Sequence, residues 1–225
     1  WERFSYYGMR ALLLLYMVST VENGGLGFIE KTSGAIYGLY TMMVYLLALP
    51  GGWIADNVLG LKKSVFYGGC IIALGDFLLL FTVKESFFLG LFFIVVGTGM
   101  LKPNISSLVG ELYSRDENAR RDAGYSIFFM CINIGAFLAP FITGYFGEKI
   151  DWHYGFAVAG IGMVVGVIQF KLSEHRLGNA GSVPIKTLEE HRKMRLLLFI
   201  VVVSVALIVT LLISGIMVAD PVAIA

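Results

Sequence analysis

Seven apolar stretches recur along the chain, at 1–21, 33–54, 63–83, 86–108, 123–146, 154–172 and 196–218. Each is close to the roughly 20 residues that a helix needs to cross the hydrocarbon core of a bilayer. The connections between them are short and polar, and no apolar–polar alternation of period two appears, which excludes a β-barrel. The pattern predicts an all-α polytopic membrane protein. One connection differs in kind: 173–195, "SEHRLGNAGSVPIKTLEEHRKMR", is polar and contains Gly-Asn-Ala-Gly-Ser and a proline, the composition of a linker. The expected organisation is therefore a six-helix bundle over 1–172, a linker over 173–195, and a further helix within 196–225.

Basic residues give the bundle an orientation, because Lys and Arg accumulate in cytoplasmic connections. With the first helix starting inside, the inner connections hold 11 of them: Lys62, Lys63, Arg115, Arg120, Arg121, Lys171, Arg176, Lys186, Arg192, Lys193 and Arg195. The outer connections hold 3, namely Lys31, Lys84 and Lys149. Both ends of the six-helix bundle are then expected in the cytoplasm.

Composition agrees with a membrane protein: 57% of residues are hydrophobic, 15% are charged, and the mean hydropathy is +0.79. A net charge of +1 argues against nucleic acid as a partner. Cys70 and Cys131 lie within apolar runs and imply no disulfide framework. The chain starts without Met inside a helical pattern and reads as a piece of a longer protein. His153, His175 and His191 sit at helix ends or in the linker. No spacing suggests a metal site, and no nucleophile–base arrangement suggests covalent catalysis, so the chain is not expected to be an enzyme.

Three cations remain inside the apolar stretches: Arg3, Arg10 and Lys102. Intramembrane charges are costly and tend to mark pathways. On a wheel of 100° per residue Glu2, Arg3, Tyr6, Tyr7 and Arg10 share an arc of about 140°, a polar aromatic stripe suited to the inside of a bundle. Glu2 and Arg3 could instead be an interfacial pair with snorkelling side chains. Arg10 lies about 10 Å deeper along the axis. Lys102, in "GTGMLKPNISS", precedes Pro103, where a kink is expected, and Gly97 and Gly99 permit close approach of another backbone. Two deep cations predict a substrate bearing a carboxylate or phosphate.

Further polar residues are ambiguous. Asn133, in "FFMCINIGAFLAP", could bond a neighbouring helix or line a site. Tyr45 has a hydroxyl needing a partner at depth. Asp76, in "ALGDFLLLF", could pair within the bundle or belong to a proton path.

"GGWIADNVLGLKK" resembles the loop signature of the major facilitator superfamily, through Gly52, Asp56, Gly60, Lys62 and Lys63. "ERFSYYG" is similar to the first-helix motif E-x-x-E-R-F-x-Y-Y-G of the proton-dependent oligopeptide transporter family. "GTGMLKPN" resembles the same family's fourth-helix Lys-Pro motif, and "FFMCINIGAF" its fifth-helix motif F-Y-x-x-I-N-x-G. Two departures are visible: the first Glu of the opening motif would precede Trp1, and Phe129 stands where the motif usually has Tyr.

The resemblance implies the N-terminal six-helix bundle of a bacterial member, with 196–225 similar to the first helix of the hairpin inserted between the two bundles. It implies import of di- and tripeptides across the inner membrane by alternating access, coupled to protons, by a monomer without a cofactor. By the same resemblance Glu2, Arg3 and Lys102 would couple protons. Arg10, Tyr6, Tyr7, Tyr45, Lys102 and Asn133 would bind the peptide, and Asp56 would help lock the two bundles. Bottom-up, a facilitator of another anion such as nitrate or a carboxylated metabolite suits two deep cations equally well. A receptor that binds peptide without moving it is a further alternative.

Overall fold

The computed structural model describes residues 1–114 and 116–182, and everything described in regular structure is helical. The chain runs through α1 (Glu2–Val18), α2 (Glu30–Leu46), α3 (Ala48–Ile54), α4 (Leu61–Leu78), α5 (Lys84–Glu111), α6 (Asn118–Lys149) and α7 (Trp152–Ser173). Arg115, the predicted seventh helix at 196–218 and the linker from 183 onward lie outside the described residues, and with them Lys186, His191, Arg192, Lys193 and Arg195.

Among the described residues, four helical stretches are long and apolar enough to cross a membrane: Glu30–Leu59, Lys84–Glu111, Asn118–Lys149 and Trp152–Leu177. The other two rods are shorter or more charged. The first, α1, has 17 residues with Glu2, Arg3 and Arg10 among them, and α4 has 18 with Lys62, Lys63 and Asp76.

Proline and glycine account for how these rods break. Pro50 cannot donate to the Leu46 carbonyl, and the helix resets at Leu47 between α2 and α3. The stretch "ADNVL", expected as a loop, instead continues the helix as a π-helical turn over Ala55–Leu59. Gly60, at φ 79°, is then the single residue separating it from α4. That left-handed conformation suits glycine. A side chain there would also meet the Gly181 carbonyl, 2.9 Å from an added Cβ.

Packing is tightest between α4 and α5, which run antiparallel. A Cβ on Gly68 would lie 2.8 Å from the Gly97 carbonyl oxygen, and one on Gly97 would lie 2.6 Å from that of Gly68. Two turns away Gly75 and Gly90 repeat the arrangement, at 2.8 and 2.9 Å. Small residues at seven-residue spacing on both helices let the backbones touch, which is how helices associate where lipid removes the hydrophobic drive. Gly99, two residues on from Gly97, faces another neighbour, with its added Cβ 2.7 Å from the Leu47 carbonyl.

At the far end of α1 the core is aromatic. Tyr16 is buried, with its ring 5.3 Å from Phe156 and 5.7 Å from Phe87, centre to centre. Asp151 caps α7 there by accepting a hydrogen bond from the His153 amide at 2.8 Å, the usual task of an Asp at this position.

The opposite end is closed by residues expected to be free linker. Glu174–Leu177 forms a 3₁₀ turn, and Leu177 and Ala180 pack on Ala55, Leu61 and Leu108. Lys62 donates to the Gly178 carbonyl, and the Gly181 amide donates to Glu111 Oε2 at 2.6 Å. The first nine residues after α7 are thus docked on α4 and α5, because Lys62, Glu111 and a small apolar patch offer them partners.

Candidate functional site

Glu2 and Arg3 form an ion pair with Arg3 Nε 3.0 Å from Glu2 Oε2, and their side chains are only 12 and 13% exposed. Glu2 and Arg3 are the first two residues of α1, yet the pair lies against the middle of a neighbouring helix rather than against another helix end. The middle of α6 passes it at Gly135, whose added Cβ would lie 3.5 Å from Arg3 Cβ, and Gly166 of α7 meets the adjoining Trp1. That position disfavours the snorkelling interfacial pair. Glu2 Oε1 has no hydrogen-bond partner among the described residues. Beside the pair opens a cavity of about 210 Å³, walled mainly by apolar side chains such as Val65, Leu101, Phe128 and Met163.

About two turns further along, Arg10 donates to the Tyr37 hydroxyl. Its guanidinium carbon lies 5.1 Å from the Tyr37 ring centre and 5.9 Å from that of Tyr6. Arg3 is likewise 5.9 Å from the Tyr6 ring, so one buried tyrosine is shared by both arginines. Tyr7 stands edge-on to Tyr6, at 5.3 Å. The polar stripe of the first helix is therefore real in space: an ion pair, two tyrosines and an arginine, joined to α2 by Tyr37.

Lys102 finds an aromatic partner too. Its ammonium lies 4.0 Å from the centre of the Tyr45 ring. Among the described residues neither Arg10 nor Lys102 has a carboxylate within ion-pairing distance. Ring faces stabilise a cation by about 0.5 to 2 kcal/mol without neutralising it, so both keep their capacity for an anion.

Several expectations change here. At Pro103, where a kink is expected, α5 remains continuous α-helix from Lys84 to Glu111. Proline denies the Gly99 carbonyl its usual donor, but tight packing holds the turn: a Cβ on Gly51 would lie 2.0 Å from the Gly99 oxygen. Asn104, buried just after the proline, donates to the Gly51 carbonyl at 3.1 Å and to Ser64 Oγ at 3.0 Å. Its amide ties α3, α4 and α5 together where the proline weakens the backbone.

Tyr45 is 58% exposed and contributes its ring, not a buried hydroxyl. Asn133 is exposed and donates to the Phe129 carbonyl of its own helix at 2.9 Å, so it is not glue between helices among the described residues. It also does not touch the cluster around α1. Asp56 is exposed on the π-helical turn. Asp76 is 1% exposed and accepts from Ser5 Oγ at 2.6 Å, leaving its Oδ1 without a partner. Of the cysteines, Cys70 is half-buried and Cys131 exposed, and both are free.

The family model described as the POT family matches residues 62–213, which is more than half of the chain. The chain belongs to the POT family. Among the family's curated members, a peptide transporter of Yersinia enterocolitica is 48% identical over 174 residues, covering 76% of this chain and 34% of that protein. A di-/tripeptide transporter of Lactococcus lactis subsp. cremoris is 42% identical over 216 residues, covering 94% of this chain and 43% of that protein. The chain thus spans less than half the length of these POT relatives. A crystal structure of a POT peptide transporter in complex with sulfate superposes with a TM-score of 0.87 at 43% identity, covering 96% of this chain and 44% of that one. The helices of this chain therefore adopt the POT fold.

Four residues that contact or neighbour the polar residues described above are absent from the motif reading: Tyr37, Ser5, Asn104 and Tyr40, the last buried with a hydroxyl unpartnered among the described residues. Ser5 and Asn104 stand inside motifs already singled out, as the variable position of "ERFSYYG" and the last of "GTGMLKPN", so proximity to a motif was their signal. Tyr37 carries none, because its partner Arg10 is distant in sequence, and Tyr40 carries none either.

Proposed function

We propose that this chain is the N-terminal half of a proton-coupled symporter that imports di- and tripeptides by alternating access. The observation that carries this reading is the pair of cations within the apolar helices, Arg10 and Lys102, held by aromatic rings and, among the described residues, without carboxylate partners. Held in this way, a guanidinium and an ammonium are ready for a peptide's terminal carboxylate, and Arg can take it through two parallel hydrogen bonds. The names of the relatives, di-/tripeptide and peptide transporters, support the substrate class. Solved relatives hold sulfate in one case and alafosfalin in another, which supports a site for anionic, peptide-like ligands.

On this reading residues 1–172 form a six-helix bundle in a bacterial inner membrane with both ends cytoplasmic, and 196–225 begin a hairpin before the second bundle. Lys102 shares its time between the Tyr45 ring and a substrate carboxylate. Tyr6, Tyr7, Tyr45 and Asn133 bond the peptide. Asn133 projects from an exposed part of α6, where it is available to a substrate or to a second bundle. Asp56, exposed at the junction before α4, is placed to meet the second bundle. Protonation of Glu2 would release Arg3, and a state that differs in proton affinity is biased by the proton gradient.

The test is dialanine uptake by the full-length protein in liposomes, with and without an inward proton gradient. Accumulation above equilibrium only with the gradient is the expected result. Dialanine uptake indifferent to the gradient, or outcompeted by nitrate, would overturn the reading.

A further inference from the structure

Asp76 is a buried acid that the peptide site leaves unused, and its surroundings are specific. It is 1% exposed, its Oδ2 is 2.6 Å from Ser5 Oγ, and its Oδ1 has no partner among the described residues. No cation lies within ion-pairing distance among the described residues. The elements around it bring little charge. On α1 the ionisable neighbour is Glu2, one turn before Ser5, and on α2 it is Tyr40, whose buried hydroxyl is also unpartnered. Its neighbour on α7 is Gly160, and α5 meets the adjoining Gly75 with Gly90 and Ile94, none of them ionisable.

A carboxylate in such a place would be a buried charge without a counter-ion, which proteins avoid by neutralising the group. A protonated carboxyl needs less: one hydroxyl that can both accept and donate, and Ser5 is one. Ser5 bonds Asp76 and follows Glu2 by about one helical turn, and each of these two buried carboxyls has one oxygen with no hydrogen-bond partner among the described residues. Glu2 has Arg3 to stabilise its ionised form, and Asp76 has nothing comparable.

We propose that Asp76 is a second proton-holding carboxyl, linked through Ser5 to the Glu2–Arg3 ion pair. It keeps its proton while Glu2 is ionised and bonded to Arg3. When Glu2 takes up a proton and lets Arg3 go, a net positive charge appears beside Ser5, and the cost of ionising Asp76 falls. Carboxyls that interact in this way titrate as a unit, so the proton of one would depend on the state of the other. The proton-holding role stands on the geometry alone, and the coupling role rests on the transport reading above.

The experiment uses the full-length protein and two readouts. Infrared spectroscopy of wild type, with and without ¹³C-labelled aspartate, should show at neutral pH a protonated-carboxyl stretch that shifts with the label. Ser5→Ala should move that band and Asp76→Asn should remove it. Absence of a label-sensitive band at neutral pH, or a band indifferent to Ser5→Ala, would overturn the proposal, and neither requires the Asp76 variant to fold. In liposomes Asp76→Asn should lower gradient-driven dialanine uptake about tenfold, roughly one pK unit of lost coupling, while dialanine counterflow, which needs no net proton movement, stays near wild type. Undiminished gradient-driven uptake by Asp76→Asn would sink the coupling role. A wild type that carries the band yet ignores the gradient would overturn the transport reading and leave Asp76 a proton-holding residue.

Discussion

The Lys102 ammonium lies over the face of Tyr45, 4.0 Å from the ring centre, and this contact joins α5 to α2. It sets apart what the ring and the hydroxyl of Tyr45 contribute. Tyr45→Phe keeps the ring and should leave dialanine KM within about twofold, whereas Tyr45→Leu removes a cation–π contact of about 1 kcal/mol and should raise KM about fivefold. Lys102→Ala should abolish gradient-driven uptake altogether. Equal effects of Phe and Leu would mean that the hydroxyl, not the ring, matters.

Arg10 is positioned by Tyr37 through a hydrogen bond and a ring face together. Tyr37→Phe removes only the first. In this half-exposed setting the loss should be about 1 kcal/mol, read as a KM increase of about fivefold with kcat little changed. An unaltered KM would show that packing alone holds the guanidinium.

The Gly68–Gly97 contact leaves no room for a methyl group in either direction, because the obstacle is backbone and not a flexible side chain. Gly97→Ala should cost about 1 to 3 kcal/mol through overpacking, visible as a lowered Tm in detergent. Gly34 meets nothing within 4 Å, and Gly34→Ala serves as the control expected to be neutral or slightly stabilising. Comparable melting of both variants would refute the close approach.

Glu117, at the start of α6, accepts from the Ser114 amide and hydroxyl and pairs with Arg120, and these bonds hold its carboxyl below the usual range. A depressed pKa means that its contribution is present above the unfolded value, about 4.3, and fades as pH falls through the folded one. The protection of the amides in the first turn of α6, taken relative to their intrinsic exchange rate at each pH, should therefore fall on acidification below about pH 4. In Glu117→Gln the same amides should already have low protection at neutral pH, with little further loss on acidification.

Much of this molecule was legible along the chain. Six of the apolar stretches correspond to helical rods within a few residues, because burial in lipid demands that each segment satisfy its own backbone. The stripe from Glu2 to Arg10 follows from helical period alone, and so does its gathering onto one side of α1.

What the chain by itself could not show depends on which helices become neighbours. The ring under Lys102 comes from Tyr45 and the hydroxyl on Arg10 from Tyr37, 27 residues away in sequence. The partner of Asp76 is Ser5, 71 residues distant. The continuity of α5 through Pro103 is likewise tertiary, since Gly51 and Asn104 hold that turn from the side. Local pattern determined the helices, their polar faces and the family, because hydrogen bonds within a helix and transfer into lipid are decided residue by residue. The pairing of a cation with a ring, or of an acid with a hydroxyl, was decided only when close-packed glycines set the distances between helices.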